Sequence, residues 1–382
     1  MGIYTITKGL AENGCQIDLV AINTPKHSQP KDAMKKWARQ YDVFVDTRIR
    51  PARLIKNILF EELPYNICRF QSIEVEACLT ELLNTNTYDF IQVEGAFVAM
   101  YLPLIKSLTS VPVIIRTHNI EYVIWKRLST NERNPFKKWF FNHLSKRLYQ
   151  FESKYYNLAD GIAAITEEDK ERLIEMKVRK PIKVIPVGTE FEKFIPSSTP
   201  PLERSLFMIG ALDWLPNIEG LNWFMDNIWS EIHQKFPDVQ LHIAGKGTPQ
   251  AIFNWKKENV FVHGFVDDAV DFMNAYQIML VPLLSGGGMR VKIIEGLAAG
   301  KCIVSTSIGA EGISAENNKE IIIANSTAEW TNAISALIEQ TEDIVRIEKN
   351  ARQFAEEKYE NRSVTRNYIK FSEELNAVLK VK

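Results

Sequence analysis

Short apolar runs alternate with amphipathic stretches along most of the chain. The first series of runs predicts strands at residues 17–22, 90–93, 113–116, 161–165 and 183–187. A polar, proline-rich segment at 196–201 follows, and a second series predicts strands at 205–209, 240–244, 260–262, 278–282, 302–306 and 321–324. Helical periodicity is clearest in the intervening stretches 217–235, 289–299, 326–340 and 344–358.

Strand–helix alternation of this kind predicts an α/β fold with parallel sheets and right-handed crossovers. Two series separated by a linker predict two doubly wound, Rossmann-like domains that face each other across a cleft. We place the N-terminal domain at residues 1–190 and the C-terminal domain at 202–360.

The first residues are unusual for such a domain. Residues 3–13 have apolar side chains at helical spacing and end at Gly14, a natural residue to follow a helix. A doubly wound domain normally begins with a strand and a glycine-rich turn. Either this domain is unusual or its first strand and loop are missing from this sequence, and the pattern favours the second interpretation.

Composition excludes several classes of protein. The 382 residues carry a net charge of −1, which argues against a nucleic-acid-binding protein. The four cysteines have no Cys-x-x-Cys spacing, and the six histidines show no metal-ligand spacing. No run approaches the roughly 20 apolar residues of a membrane span, and no signal peptide is recognisable. We therefore expect a cytoplasmic protein without a metal site.

A glycine-rich turn is the most informative segment of the sequence. Ser285 and Gly286–Gly288 lie between a predicted strand and a predicted helix, where parallel α/β sheets bind ligands. Backbone without Cβ atoms lets an anion approach the free N–H groups of the helix. Arg290 and Lys292 lie in the first helical turn, where the helix dipole does not favour cations. Their position is explained if a diphosphate binds between them.

Glu295 lies on the same predicted helix, where its carboxylate can accept hydrogen bonds from ribose hydroxyls. In the alternative interpretation, the turn only reverses the chain, the two cations are solvated, and Glu295 pairs with Lys292 at i,i+3. The spacing at 296–302 does not fit a phosphate-binding P-loop, and Gly245-Lys-Gly247 lacks a third glycine. We therefore expect no nicotinamide or other cofactor.

Residues 286–301, Gly-Gly-Gly-Met-Arg-Val-Lys-Ile-Ile-Glu-Gly-Leu-Ala-Ala-Gly-Lys, resemble the donor-site signature of the family 4 (group 1) retaining glycosyltransferases. They are most similar to the subset in which this loop has the form Gly-Gly-Gly-x-Arg-x-Lys. Further similarities lie at residues 116–121, 184–188, 209–217, 243–247 and 262–267, so the resemblance covers nearly the whole chain.

The resemblance implies a GT-B fold and transfer of a hexosyl unit from a nucleoside-diphosphate sugar to a glycan or lipid-linked glycan, with retained anomeric configuration. It implies His118 as the catalytic residue, because the matching histidine approaches the donor sugar. The sequence leaves open whether Arg116 and Glu121 bind the acceptor or have a structural role. The donor-binding residues implied are Gly210, Ser285, Gly286, Gly287, Gly288, Met289, Arg290, Lys292 and Glu295. The chain has no Asp-x-Asp pair, so we expect metal-independent transfer.

Two departures from the family pattern stand out. The family commonly has a glutamate, which contacts the transferred sugar, at the position of Gly287. It also commonly has an Arg and a Lys after the first strand of the C-terminal domain, where this chain has neither within 210–217. We expect Arg290 and Lys292 to provide that charge. The alternatives are a sugar-nucleotide epimerase of the same architecture and a catalytically impaired binding subunit.

Two further segments carry expectations. Residues 362–382 have an apolar stripe at helical spacing, and the resemblance implies that this helix packs back on the N-terminal domain. Residues 48–56 and 136–147 combine basic and aromatic side chains. They are typical either of solvated helices or of peripheral contact with an anionic inner membrane face, which would suit a lipid-linked acceptor.

Overall fold

The structure is a computed structural model that describes residues 2–26, 28, 30, 33–286 and 288–381. The chain forms two compact units. Unit one comprises the residues up to Gly188 together with those from Arg362 onward, and unit two comprises Thr189–Asn361. Both units are α/β with parallel strands, so the predicted fold class is confirmed.

The described strands of unit one form two separate parallel sheets. Its main sheet has the order β3-β4-β5-β6, and β1 pairs with β2 outside that sheet. Strands β4 and β5 are buried along their whole length, as parallel strands covered on both faces are. The six strands are β1 (Asp18–Asn23), β2 (Arg39–Phe44), β3 (Ile91–Glu94), β4 (Val113–Arg116), β5 (Gly161–Ala164) and β6 (Ile182–Val184).

Helices connect these strands, and a short 3₁₀ turn spans Ala96–Tyr101. Ser72 and Thr166 begin two of the helices by accepting a hydrogen bond from the backbone N–H three residues later. The helices before the linker are α1 (Gly2–Glu12), α2 (Pro51–Phe60), α3 (Tyr65–Cys68), α4 (Ile73–Thr85), α5 (Leu102–Leu108), α6 (Glu121–Asn131), α7 (Pro135–Tyr156) and α8 (Glu167–Glu175).

Unit two contains one six-stranded parallel sheet with the order β12-β11-β10-β7-β8-β9. This is the doubly wound order in which the chain starts in the middle, builds one half of the sheet, and then returns to build the other. The direction of winding reverses between β7 and β10. The strands are β7 (Leu202–Ile209), β8 (Gln240–Ala244), β9 (Val260–Gly264), β10 (Tyr276–Val281), β11 (Cys302–Ser305) and β12 (Ile322–Ile323).

The predicted helix at 217–235 is interrupted in the structure by a π turn at Met225–Trp229. Ser326 and Glu329 form a capping box at the start of the helix that buries Trp330 completely. The helices of unit two are α9 (Leu215–Phe224), α10 (Ser230–Lys235), α11 (Gln250–Phe253), α12 (Ala269–Ala275), α13 (Val291–Ala298), α14 (Thr327–Glu339) and α15 (Thr341–Tyr359).

The last helix, α16 (Asn361–Val381), packs on unit one. Its apolar stripe joins a buried cluster with α1, β4 and β5. The contact is close, because a Cβ atom on Gly161 of β5 would lie 2.5 Å from Leu375 Cδ1. The buried residues of this cluster are Ile6, Leu10, Ile114, Ala163, Ile185, Val364, Tyr368, Phe371 and Leu375.

The N-terminal region shows one element that the sequence analysis missed. Strand β2 was not predicted, although Tyr41 and Val43 alternate with polar Gln40 and Asp42. It supplies the neighbour of β1, and among the described residues β1 has no second neighbour. The chain opens on helix α1, as the periodicity predicts. No helix in the described part of the chain is long and apolar enough to cross a membrane.

A cluster of aromatic rings lies over the strands β8, β9 and β10 of unit two. His242 stacks between Phe261 and Tyr276, with ring centroids 4.9 and 3.9 Å away. Its Nδ1 lies 3.0 Å from Nε2 of His263. Burial, with His263 as a second cause, lowers the pKa of His242 to about 4, since the protonated ring would lose solvation. The folded unit therefore favours neutral His242.

We expect the His242→Phe substitution to change how stability depends on pH. The unfolded chain binds a proton to His242 at a higher pH than the folded chain, so His242 destabilises the fold progressively as the pH falls from 6.5 to about 4. Phenylalanine keeps the stacking and removes the proton. Calorimetry should therefore show the melting temperature of the variant, relative to the parent, rising by several degrees on acidification. A difference in melting temperature between variant and parent that stays constant with pH would contradict this prediction.

Candidate functional site

The switch point of the unit-two sheet brings two loops together. Gly210 follows β7, and residues 282–290 connect β10 to α13. Open α/β sheets bind ligands at this point, because the helices that follow the two strands diverge to opposite faces and leave a crevice. A small pocket lies there, and its lining includes Gly210, Asn217, Pro282 and Lys292. The structure thus brings the first and last segments of the predicted donor site to one place.

The loop after β10 depends on glycine. Gly286 has a φ of 123° and Gly288 a φ of 77°, both of which favour glycine. A Cβ atom on Gly286 would lie 2.5 Å from Nη2 of Arg290, so a larger residue would displace the guanidinium. Gly287, also predicted to bind the donor, lies outside the described residues. Met289 is half-buried and packs against the core beneath the loop.

Arg290 is a buried cation at the start of α13. Its side chain is 6% exposed, and Nη1 donates a hydrogen bond of 2.8 Å to the carbonyl oxygen of Gly288. The guanidinium carbon lies 5.7 Å from the ring centroid of Trp214, which is within the range of a cation–π contact. These contacts hold the arginine against its own loop, so its direction is determined before any ligand binds.

Lys292 faces the other loop of the pocket. Its Nζ donates a hydrogen bond of 2.8 Å to Oδ1 of Asn217, and Nδ2 of Asn217 donates to the carbonyl of Ala211 at 2.8 Å. Burial, reinforced by the positive charge of Arg290, lowers the pKa of Lys292 to about 8. A Cβ atom on Gly210 would lie 3.4 Å from Nζ, so glycine there keeps the space beside the ammonium group clear.

Ser285 and Glu295 lie at the edges of this site. The hydroxyl of Ser285 donates a hydrogen bond of 3.0 Å to Oε2 of Glu219, which holds the loop to α9. Burial raises the pKa of Glu295 to about 7, and Lys193 opposes this shift. Glu295 does not pair with Lys292, and its carboxyl accepts no hydrogen bond from any residue that the structure describes. The alternative in which these two residues neutralise each other is therefore wrong.

Two glycines that were not predicted as site residues allow the loops to approach. A Cβ atom on Gly245, after β8, would lie 1.8 Å from the carbonyl oxygen of Gly210. A Cβ atom on Gly220, within α9, would lie 2.2 Å from the carbonyl oxygen of Pro282. Gly245 belongs to the Gly-Lys-Gly run noted in the sequence, but nothing in the sequence near Gly220 marks its role. Trp214 and Asn217 lie in the 209–217 segment. The similarity of this segment to the family did not predict that their side chains would contact Arg290 and Lys292.

Unit one carries a second polar cluster, at the carboxyl ends of β3 and β4. Glu94 and Arg116 are the last residues of these strands and are paired in register. Oε2 of Glu94 accepts a hydrogen bond from Nη1 of Arg116 at 3.2 Å and contacts Nε2 of His118. Arg116 is 1% exposed, whereas the His118 side chain is 36% exposed. The predicted catalytic histidine is therefore tied to Glu94, which the sequence analysis did not single out.

A buried carboxyl supports the segment that follows His118. Glu152 of α7 accepts hydrogen bonds from the backbone N–H groups of Glu121 and Tyr122, at 2.8 and 3.0 Å, and so caps the start of α6. Burial raises the pKa of Glu152 to about 8, and burial also raises the pKa of Glu121 to about 7, which His118 opposes. The carboxyl of Glu121 therefore interacts electrostatically with His118, and its backbone N–H belongs to the capped first turn of α6.

Comparison with known proteins adds independent evidence. Residues 1–193 match the family described as Glycosyltransferase Family 4, and residues 203–340 match Glycosyl transferases group 1. The first match covers half of the chain. The protein belongs to the family 4 (group 1) glycosyltransferases. It is therefore a transferase enzyme with the GT-B fold, as the resemblance of residues 286–301 implies.

The individual relatives are distant. An uncharacterised 44.6 kDa protein from the cps region of Klebsiella pneumoniae is 23% identical over 381 residues, covering 94% of this chain and 92% of the relative. Sucrose-phosphate synthase from Thermosynechococcus elongatus is similar in structure, with a TM-score of 0.70, 14% identity and coverage of 98% and 93%. Anabaena HepE in complex with UDP gives a TM-score of 0.68, 14% identity and coverage of 98% and 95%. At this identity the two solved structures show the fold alone.

Proposed function

We propose that this glycosyltransferase moves a hexosyl unit from a nucleoside-diphosphate sugar to a glycan or lipid-linked glycan with retention of the anomeric configuration. The observation that carries the proposal is the pair Arg290 and Lys292, a buried and a half-buried cation beside a glycine loop at the β7/β10 switch point. Burial and the positive charge of Arg290 lower the pKa of Lys292 to about 8, so an anion bound beside the two side chains stabilises the ammonium form. A diphosphate supplies that charge.

The donor fits the residues around the pocket. The diphosphate lies between Arg290 and Lys292, against the backbone of Ser285, Gly286, Gly288 and, by the family motif, Gly287. Gly210 leaves room beside Lys292 on the β7 side. Glu295, whose carboxyl accepts no hydrogen bond from any described residue, accepts hydrogen bonds from the ribose hydroxyls. Met289 supports the loop from the core.

The chemistry follows from where charge develops. Breaking the glycosidic bond leaves negative charge on the departing diphosphate, and fixed cations stabilise that charge without reorganising. The family resemblance supports a role for His118 of unit one in the transfer step. The family resemblance supports front-face transfer, in which the acceptor hydroxyl enters on the side that the diphosphate leaves. No residue in the two clusters described needs to form a covalent sugar intermediate.

Two of the relatives suggest the donor and the pathway. HepE of Anabaena has been solved with UDP and with UDP-glucose, and the Klebsiella relative is encoded in a cps region. UDP-sugars are therefore the first donors to test. The genomic location of the Klebsiella relative supports an acceptor that belongs to polysaccharide biosynthesis.

A panel of nucleoside-diphosphate sugars, with release of free nucleoside diphosphate as the readout, tests the function. We expect Arg290→Ala and Lys292→Ala each to weaken binding of the nucleoside diphosphate at least tenfold, a loss of about 1.4 kcal/mol or more, because each removes one charged contact. Calorimetric titration gives the affinities. Lys256→Ala, which removes an exposed lysine between α11 and β9, before the amino end of β9, serves as the control. Unchanged affinity in both site variants would overturn the placement of the diphosphate.

Donor binding should also depend on pH through Lys292. Its pKa of about 8 in the free protein means that the ammonium form is lost as the pH rises through that value. An anion stabilises the ammonium form, so binding should take up a proton and weaken above about pH 8. Calorimetry in buffers of different ionisation enthalpy measures the uptake. Lys292→Arg stays charged throughout, so proton uptake should disappear in that variant. Equal uptake in both proteins would assign the proton to another group.

The same proposal includes peripheral contact with an anionic membrane surface, which would bring a lipid-linked acceptor within reach. Ala52, Ile55 and Leu59 share one exposed face of α2, and Ile55 and Leu59 are 59% and 64% exposed. Exposed Arg53 and Lys56 lie beside that face. An apolar stripe flanked by cations suits the boundary between headgroups and acyl chains.

The start of α7 has a similar character. Phe136 and Trp139 are 83% and 60% exposed and enclose two exposed lysines, Lys137 and Lys138. Further along α7, Arg147 donates hydrogen bonds to the carbonyl oxygens of Asn57 and Leu63, at 3.2 and 2.9 Å. These contacts attach α2 and the residues after it to α7, so both exposed faces belong to connected helices of unit one.

Sedimentation with lipid vesicles tests this contact. We expect the parent to bind vesicles that contain phosphatidylglycerol in preference to purely zwitterionic ones, since each cation near such a surface contributes about 1 kcal/mol. The double variant Ile55→Asn/Leu59→Asn should lower binding at least tenfold, because it removes apolar area worth roughly 1.5–3 kcal/mol per side chain. Ile73→Asn, which changes an 80% exposed isoleucine on α4, is the matched control and should bind as the parent does. An equal loss in the control would refute a localised docking face.

A further inference from the structure

We propose that Glu94 is a positioning residue for His118: it fixes the orientation and the tautomer of the imidazole, and Arg116 fixes Glu94 in turn. The inference rests on the proposed role of His118 in transfer. It adds a residue that lies 24 positions earlier in the chain, on a different strand.

The backbone determines where the three side chains meet. Glu94 and Arg116 are partners in the β3/β4 ladder, and the N–H of Gly95 donates to the carbonyl of Arg116 at 2.9 Å. The N–H of Thr117 donates to the carbonyl of Ala163 at 3.0 Å, which anchors the segment leading to His118. Gly95 has a φ of 83°, so the chain turns sharply away after Glu94 and leaves its carboxyl beside the imidazole.

The carboxyl of Glu94 is held on both oxygens. Oε1 accepts a hydrogen bond from Nε2 of Gln92, and Oε2 is shared by Arg116 and His118. Burial alone would raise the pKa of Glu94, but Arg116 and His118 outweigh it and hold the pKa below its ordinary value. Glu94 is therefore an anion, and an anion can only accept the hydrogen bond from His118.

The consequence for His118 is a defined tautomer. When the Nε2–H group donates a hydrogen bond to Glu94, the other nitrogen of the neutral ring, Nδ1, carries the free lone pair. Nδ1 makes no hydrogen bond to any residue that the structure describes, and the side chain is 36% exposed. A sugar hydroxyl can therefore donate to Nδ1. Without Glu94, the ring could rotate or carry its proton on the other nitrogen, and this contact would be lost.

Arg116 and α16 complete the support. Arg116 is 1% exposed and too buried to meet a substrate, so its guanidinium serves to neutralise and orient Glu94. Tyr368 of α16 is fully buried nearby, and burial, with Glu94 as the second cause, raises the pKa of its hydroxyl. The His118 site is thus built on the core that α16 closes, and its geometry does not depend on mobile surface groups.

A double-mutant cycle separates positioning from an independent role. Glu94→Gln should lower kcat about tenfold or more, the scale on which outer partners of a reacting group act, with the donor KM within about twofold. In the His118→Ala background, Glu94→Gln should cause no further loss, because its effect passes through the imidazole. Asp160→Asn alters another carboxyl of unit one, which accepts hydrogen bonds from Lys106 and from the N–H of Val113 at the opposite end of β4 from His118, and it is the matched control. Multiplicative losses in the double variant would overturn the proposal.

Histidine-selective ¹⁵N NMR at alkaline pH gives a readout that does not depend on activity. The parent should show His118 protonated on Nε2, assigned by its absence in His118→Ala, and Glu94→Gln should redistribute the proton between the nitrogens. An unchanged tautomer in that variant would refute the proposal. If His118→Ala leaves turnover unchanged, the proposed catalytic role of His118 fails, and the NMR result alone then decides the role of Glu94. Should Glu94→Gln not fold, Glu94→Asp, which keeps the carboxylate one methylene further back, takes its place in both measurements.

Discussion

Parallel strands place all of their carboxyl ends at one edge of the sheet, and both polar sites of this protein follow from that constraint. In unit two, the ends of β7 and β10 bring Gly210 and the 282–290 loop together at the point where the winding reverses. In unit one, the ends of β3 and β4 bring Glu94 and Arg116 into register, with His118 two residues beyond. The reactive groups come from distant parts of the sequence, yet the ladder hydrogen bonds determine their spacing.

Close backbone packing is what makes the unit-two site possible. The carbonyl oxygen of Gly210 occupies the space that a Cβ atom at position 245 would need. In the same way, the carbonyl oxygen of Pro282 occupies the space that a Cβ atom at position 220 would need. Because these contacts lie beneath the pocket, the loops after β7, β8 and β10 form one packed layer. Arg290 and Lys292 then extend from a rigid base, which is a requirement for stabilising charge without reorganisation.

The two units use charge in opposite ways. Unit two holds two cations close together, and Lys292 donates its hydrogen bond to the uncharged amide of Asn217, so burial and the charge of Arg290 lower the lysine pKa and favour an incoming anion. Unit one balances its cation internally, since Arg116 is neutralised by Glu94 and the histidine is attached to the same carboxyl. The first arrangement suits binding of a diphosphate, and the second suits holding one imidazole in a single orientation.

The sequence by itself determined the α/β class, the two series of strands and the family, because hydrophobic periodicity and the 286–301 motif are local properties of the chain. It also placed Arg290, Lys292 and Glu295 on one helix. Only the tertiary structure decided which of these residues pair. It separated Glu295 from Lys292, joined Lys292 to Asn217 across 75 residues, and tied His118 to Glu94 across 24. It also revealed β2, whose short alternation gains its stability from pairing with β1. Contacts between distant residues depend on strand register and on backbone approach, and no local pattern in the chain encodes either.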